Sequence, residues 1–267
     1  MKLLQACIDQ DVDTVRTLLN DPTIDPTTFE VIDGADGIQE VNAMHIISKN
    51  GNVEIMKLLL EDGRIDPELG GFVEEMDFLP PLHISSKLGH IEIVKLLLED
   101  GRADPNANDN HEYYTPLMFA CGENRIEIVK LLLNNPRVDI NEVDSRSLNC
   151  LYICCVSNHY ELVEIILTDP RFDKSDDLIL YESYDTVCKL KLYEIIKLLI
   201  LLIDNYTFDA LNGTSNIIYG RDVDDILILF KGSPEYHRRR SKYSKDFYAG
   251  NLFLQYCCAI RWIFQTL

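Results

Sequence analysis

Apolar residues along this chain fall into short clusters that repeat. The eight residues IEIVKLLL occur at Ile91–Leu98 and again, letter for letter, at Ile126–Leu133. Related copies are VEIMKLLL at Val53–Leu60, YELVEIIL at Tyr160–Leu167 and YEIIKLLI at Tyr193–Ile200, with a divergent first copy, VDTVRTLL, at Val12–Leu19. Each copy carries an acidic residue second: Asp13, Glu54, Glu92, Glu127, Glu161 and Glu194. The separations between these anchors shrink from 41 to 38, 35, 34 and 33. The LLL triplets are apolar nearly all round, as befits a helix packed between neighbours. Three residues before each anchor stand Gln10, Gly51, Gly89, Asn124, Asn158 and Lys191. Glycine and asparagine tolerate the left-handed conformation that closes a helix. A further short apolar segment precedes each turn. Where it begins Thr115-Pro116, the threonine can cap a helix and the proline can take its first position, where no amide hydrogen is missed. The pattern predicts a series of helix–turn–helix units.

The limiting separation matches the ~33-residue period of ankyrin arrays, and the motifs agree. The family's Thr-Pro-Leu-His opening survives as Thr115-Pro116-Leu117-Met118 and Pro81-Leu82-His83, and more weakly as Asn42-Ala43-Met44-His45. Gly89-His90 matches the family's turn, and Gly101-Arg102-Ala103-Asp104-Pro105-Asn106-Ala107 nearly matches its exit. The chain resembles the ankyrin repeat family over residues 1–203. The resemblance implies an all-α ankyrin-repeat solenoid of about six stacked repeats, near 1–26, 42–67, 79–105, 115–139, 149–173 and 184–204. It also implies long finger loops and a helical C-terminal cap region. Residues 204–267 depart from the family; they hold a decayed seventh copy around Asp224, which lies 30 residues after Glu194, and a capping helix at 251–267. Under the resemblance, His45 and His83 are structural and hydrogen-bond the neighbouring repeat's backbone.

Three longer insertions precede repeats two, three and four: 27–41, 68–78 and 108–114. Gly34 and Gly37 with Asp33 and Asp36 mark turns in the first. Insertions in solenoids fall on loops of one face, often the binding face. These combine carboxylates with aromatics: Phe29 in the first; Phe72, Glu74, Glu75, Asp77 and Phe78 in the second; Glu112, Tyr113 and Tyr114 in the third. Two uses of the aromatics stay open: contact with a partner, or a roof over the helices. The family's concave surface adds exposed first-helix positions, here Lys49, Lys87, Leu88 and Glu123.

The formal net charge is −19. Residues 204–267 hold 8 basic and 7 acidic side chains, leaving 17 and 37 in residues 1–203, a net −20. Such a field disfavours nucleic acid and anionic membranes and favours a protein with a basic surface, or it serves solubility alone. Among the eight cysteines, Cys7, Cys121, Cys155 and Cys188 share one first-helix column and Cys154 stands in the column before it. The family puts small residues there, and cysteine serves as one. Cys150, Cys154, Cys155 and His159 fit no standard zinc spacing, so no metal or cofactor is expected. Thiols without a disulfide-scaffold spacing point to a reducing, cytoplasmic location. No signal peptide is visible, and no phosphate loop, dinucleotide fingerprint or hydrolase motif appears. No small-molecule substrate is expected, and the chain is read as monomeric.

The resemblance implies a non-enzymatic protein–protein interaction module. An alternative is an adaptor whose tail recruits a ubiquitin ligase or other host machinery. The long fingers and Asp-Gly-Arg-x-Asp-Pro linkers resemble divergent viral and protist arrays, and some viral arrays carry a C-terminal recruiting motif; residues 205–267 match no F-box-like motif. The location would then be a host cytoplasm. The basic run Arg238, Arg239, Arg240, Lys242 and Lys245 admits three uses: a solvated helix face, a nuclear-import or nucleic-acid patch, or contact with acidic surface. The last stretch, 251–267, repeats apolar residues at helical spacing; Arg261 interrupts it and it is too short to span a bilayer.

Overall fold

The computed structural model describes residues 2–34, 37–73, 76–109 and 111–173, with single residues and pairs between 182 and 199. The chain divides into two compact units between Asp173 and Lys174.

In the first unit the described helices form five antiparallel pairs. They are α1 (Lys2–Ile8) with α2 (Val12–Leu19), α3 (Ala43–Asn50) with α4 (Val53–Asp62), and α5 (Pro81–Leu88) with α6 (Ile91–Asp100). Then come α7 (Pro116–Gly122) with α8 (Ile126–Asn134) and α9 (Cys150–Val156) with α10 (Tyr160–Thr168). Every second helix starts one residue before its acidic anchor, where a carboxylate suits the positive end of the helix dipole. One turn closes all five pairs. Gln10, Gly51, Gly89, Asn124 and Asn158 hold φ between +55° and +93°, at the position where the sequence places tolerant residues. The next residue's N–H reaches back into the first helix: Asp11 to Ala6, His90 to Ser85, Arg125 to Ala120 and His159 to Cys154, at 2.8–3.0 Å. Thr115 caps α7 by accepting from the Met118 N–H at 3.3 Å, with Pro116 at the first helical position.

The pairs stack in two layers, first helices on first helices and second on second. The first-helix layer closes through small residues: Cys7, Ser48, Ser86, Cys121 and Cys155 are all fully buried. The second-helix layer is filled by Ile55 and Leu59, Ile93 and Leu97, Ile128 and Leu132, Leu162 and Ile166, none more than 1% exposed. A leucine buried to that degree contributes about 2 kcal/mol, and Leu97→Ala would cost about 2–5 kcal/mol with the cavity it leaves.

The first two fingers fold further than turn residues alone predict. Each is an antiparallel hairpin. The strands β1 (Glu30–Gly34) and β2 (Gly37–Val41) pair from Glu30 with Val41 to Gly34 with Gly37. The strands β3 (Gly71–Val73) and β4 (Met76–Leu79) pair less regularly, Gly71 with Leu79 and Val73 with Met76. Their tips, 35–36 and 74–75, lie outside the described residues. The second finger stands beside the first, β3 against β2.

In the second unit, residues 182–183, 186–187, 194–195 and 198–199 are helical. Ser183, Val187, Ile195 and Leu199 are buried there. The Leu192 N–H donates to Val187 O at 2.9 Å, the same turn bond, counted from Glu194, as in the first unit. The seventh copy near Asp224, the run from Arg238 to Lys245 and the stretch 251–267 lie outside the described residues.

Candidate protein interface

Three sets of hydrogen bonds hold the repeats in register and fix the surface they present. From the third repeat to the fifth, the residue opening the second helix reaches back to the preceding first helix. His90 Nε2 meets Lys49 O at 2.9 Å, Arg125 Nε donates to Lys87 O at 3.0 Å, and His159 Nδ1 meets Cys121 O at 2.8 Å. The second set comes from arginines two residues after the acidic or amide residue that ends each second helix. Arg102 donates through Nε and Nη2 to both oxygens of Asp100, at 2.7 and 2.9 Å. Its remaining donors reach Leu60 O, Gly63 O and Ile65 O of the preceding repeat, each at 3.1 Å. Arg64 does the same for Leu19 O and Ile24 O. Arg137 does so for Leu98 O, Gly101 O and Ala103 O, and Arg171 for Leu133 O, Asn135 O and Val138 O. The carbonyls of Leu19, Leu60, Leu98 and Leu133 lie in the last turn of a helix, where no partner exists within it and a cation is favourable; the others belong to the linker that follows. The arginine bonds hold the carboxyls of Asp62, Asp100 and Asp169 below the usual carboxylate range. The third set uses amides. Asn106 donates to Arg137 O and accepts from the Asp139 N–H, both at 2.7 Å. Asn141 repeats this with Arg171 O and the Asp173 N–H.

The histidines of the first helices hold finger roots. His83 Nε2 lies 2.8 Å from Ala107 O, at the root of finger three rather than inside the neighbouring repeat. His45 Nδ1 accepts from the Asn42 N–H at 3.2 Å and completes a capping box on its own helix. Burial lowers both imidazole pKa values to about 4, with the backbone groups at Leu69, and at Ala107 and Tyr114, opposing.

Finger three is the best defined of the predicted contact regions. The Asp109 N–H donates to Tyr114 O at 3.0 Å, and Asp109 Oδ1 accepts from the Tyr114 N–H at 2.6 Å. Across the gap to the next loop, the Ser145 N–H donates to Glu112 O at 2.9 Å and its hydroxyl to the Glu112 carboxylate at 3.2 Å. The two neighbouring tyrosines then part ways. Tyr114 is half-buried, edge-on to Phe119 at 5.6 Å, with its hydroxyl accepting from Arg146 at 3.1 Å; it roofs the helices. Tyr113 is 49% exposed and sits at φ +61°, a left-handed conformation that a bulky residue adopts rarely.

Lys87 joins this group, its ammonium 5.7 Å from the Phe119 ring centroid. Leu88 is half-buried and Glu123 exposed at the ends of α5 and α7. Lys49 lies one repeat earlier, at the end of α3. Phe72, Asp77 and Phe78 stand on β3 and β4 and their side chains lie outside the description, as do Glu74 and Glu75 altogether. The basic residues Arg238, Arg239, Arg240, Lys242 and Lys245 also lie outside it. Three side chains that the sequence did not single out belong to the site. Phe119 sits where other repeats carry isoleucine, glutamine or threonine. Arg146 is paired with the buried Asp144 at 2.7 Å and stacks over Tyr152 at 5.9 Å. The signal was available: Phe119 and Tyr152 are large aromatics at first-helix positions.

The thiols are packing groups. Cys121, Cys150 and Cys154 lie together, buried. Burial and mutual contact raise the Cys121 thiol well above its ordinary pKa, and contact with Cys121 does so for Cys150. Cys7 is pushed up to about 12 by burial. Among the described residues no group of three histidine, cysteine or carboxylate side chains could hold a metal. None of their helices is long and apolar enough to cross a membrane.

No curated protein matches the sequence. The pattern of ankyrin repeats in three copies matches residues 3–109 and again 82–176. With that span added to the recurring turn and the paired layers, the chain belongs to the ankyrin repeat family.

Proposed function

We propose that the array binds a protein partner through its first-helix face and third finger, with Tyr113 as the leading contact. Ankyrin repeats generally mediate protein–protein interaction. The observation that carries the finer reading is Tyr113 itself. An aromatic held at φ +61° by a doubly bonded loop costs about 1–2 kcal/mol of backbone strain and still leaves about half of its surface, 49%, in solvent. The loop is tied to its neighbour through Glu112 and Ser145, so little ordering entropy is lost on binding. The net −20 of residues 1–203 favours a partner with a basic surface.

The test compares the full chain with Tyr113→Gly. Glycine adopts positive φ freely, so the melting temperature stays level or rises. Partner capture from a eukaryotic cytosolic lysate, scored by mass spectrometry, falls at least several-fold. Equal recovery by both proteins would remove Tyr113 from the interface.

A further inference from the structure

The fingers form a row with one open end. The second stands beside the first, β3 against β2, while β1 pairs with β2 alone. Two residues separate the paired Gly34 and Gly37, and the pair that closes a two-residue hairpin is hydrogen-bonded. Bonded and non-bonded pairs alternate along an antiparallel ladder, so Ile32 with Gln39 and Glu30 with Val41 are bonded too. Val31 and Asp33 therefore turn their backbone N–H and C=O groups away from β2. Val31 is also 67% exposed, more than any other large apolar residue among those described.

A groove begins where β1 does. Its volume is about 310 Å³, and its walls are the first turn of α1, the linker from Thr23 to Thr28, Glu30 and Ala43. Leu3, Leu4 and Ala43 in these walls are buried, and Lys2 and Thr28 are exposed. That volume is at the small end of the range for ligand sites, about 300–1,000 Å³, and has room for one large side chain. A row of outward backbone donors and acceptors is matched by another extended backbone. From the free edge and the groove at its root we propose that β1 takes an extended segment of a partner protein as an added strand. The segment pairs through its main chain with Val31 and Asp33 and sets one large apolar side chain in the groove. It is poor in proline, which lacks the donor that pairing needs. A second copy of this chain is disfavoured there. Edge to edge it would bring together Glu30 and Asp33 of both copies, and two net charges of −19. This edge belongs to the first finger, and its use does not depend on Tyr113.

Peptides selected on the full chain from a random phage-displayed library supply the probes. Each is titrated against the parent, Val31→Pro and Tyr113→Ala. The proline removes an N–H that bonds nothing within the hairpin, at an edge position where proline is tolerated, so Val31→Pro melts within a few degrees of the parent. It binds the peptide at least tenfold more weakly, and Tyr113→Ala binds unchanged. On the parent chain, methylating every second backbone nitrogen of the peptide abolishes binding, whereas methylating those between leaves it intact, the period-two mark of a paired strand. Alanine in place of the peptide's apolar residue weakens binding several-fold. A library in which no peptide separates the parent from Val31→Pro would overturn the added strand, as would methylation effects without that period or indifference to the alanine. Peptides lost with Tyr113→Ala and kept by Val31→Pro belong to the first-helix face and count against the edge. Sedimentation that shows a dimeric parent and a monomeric Val31→Pro would give the edge to a second copy instead.

Discussion

Arg102 shows how much one side chain does here. Its guanidinium closes on Asp100 with two bonds and spends its other donors on three carbonyls of the preceding repeat. The planar fork makes this geometry available to arginine and not to lysine. Arg102→Lys is therefore expected to destabilise by about 1–2 kcal/mol, the range for a cation at a partly buried helix end, read as a lower urea midpoint at unchanged slope. Thr23 occupies the equivalent position in the first repeat and bonds only to Asp21, so Thr23→Arg should leave the midpoint unmoved. The buried histidines carry a pH dependence. His45 and His83 have folded pKa values of about 4 against about 6.5 unfolded. Their contribution is complete above pH 6.5 and is lost as pH falls toward 4, at up to about 1.4 kcal/mol per pH unit for each. The paired carboxylates Asp62, Asp100 and Asp169, with lowered folded values, lose their contribution only below that window. Urea titrations from pH 7.5 to 4 check this, and His83→Asn should roughly halve the slope.

At the scale of elements, helices were legible and fingers were not. The anchors put the start of every second helix within a residue, and the tolerant residues at Gln10, Gly51, Gly89, Asn124 and Asn158 mark each turn. Both signals are local: a periodic apolar face and a backbone conformation that few residues accept. The hairpins rest on pairing between chain segments and on the neighbouring finger, β2 against β3, which no short window displays. In finger three the pairing of Tyr114 with Phe119 and Arg146 spans two repeats, so the sequence offered two equal tyrosines where the fold makes them unequal. The arginine series was visible in the linkers, yet its target carbonyls lie 33 to 45 residues away. The small-residue column makes its own prediction. Cys121 is fully buried where α7 meets its neighbours, so Cys121→Leu overpacks the layer and costs about 1–3 kcal/mol. Cys121→Ala, close in size, should melt within a few degrees of the parent.

For the whole molecule, charge works against compactness. A net −19 repels itself most at low ionic strength. Raising salt from about 0.01 to 0.15 M shortens the screening length from about 30 to 8 Å, and the melting temperature should rise over that range before it levels. A flat profile would mean that the surface pairs already balance the field. The same salt should weaken capture of a basic partner, so stability and binding move in opposite directions across one titration.

Every arginine of the linker series reaches toward the N-terminus. Arg64, Arg102, Arg137 and Arg171 each hold the end of the repeat made before their own. A chain emerging from the ribosome therefore waits for one further repeat, and no more, to secure the end of the one it has already folded. Each new repeat arrives carrying the latch for the last one, while the first repeat carries Thr23 in that place, bonded to Asp21 of its own turn.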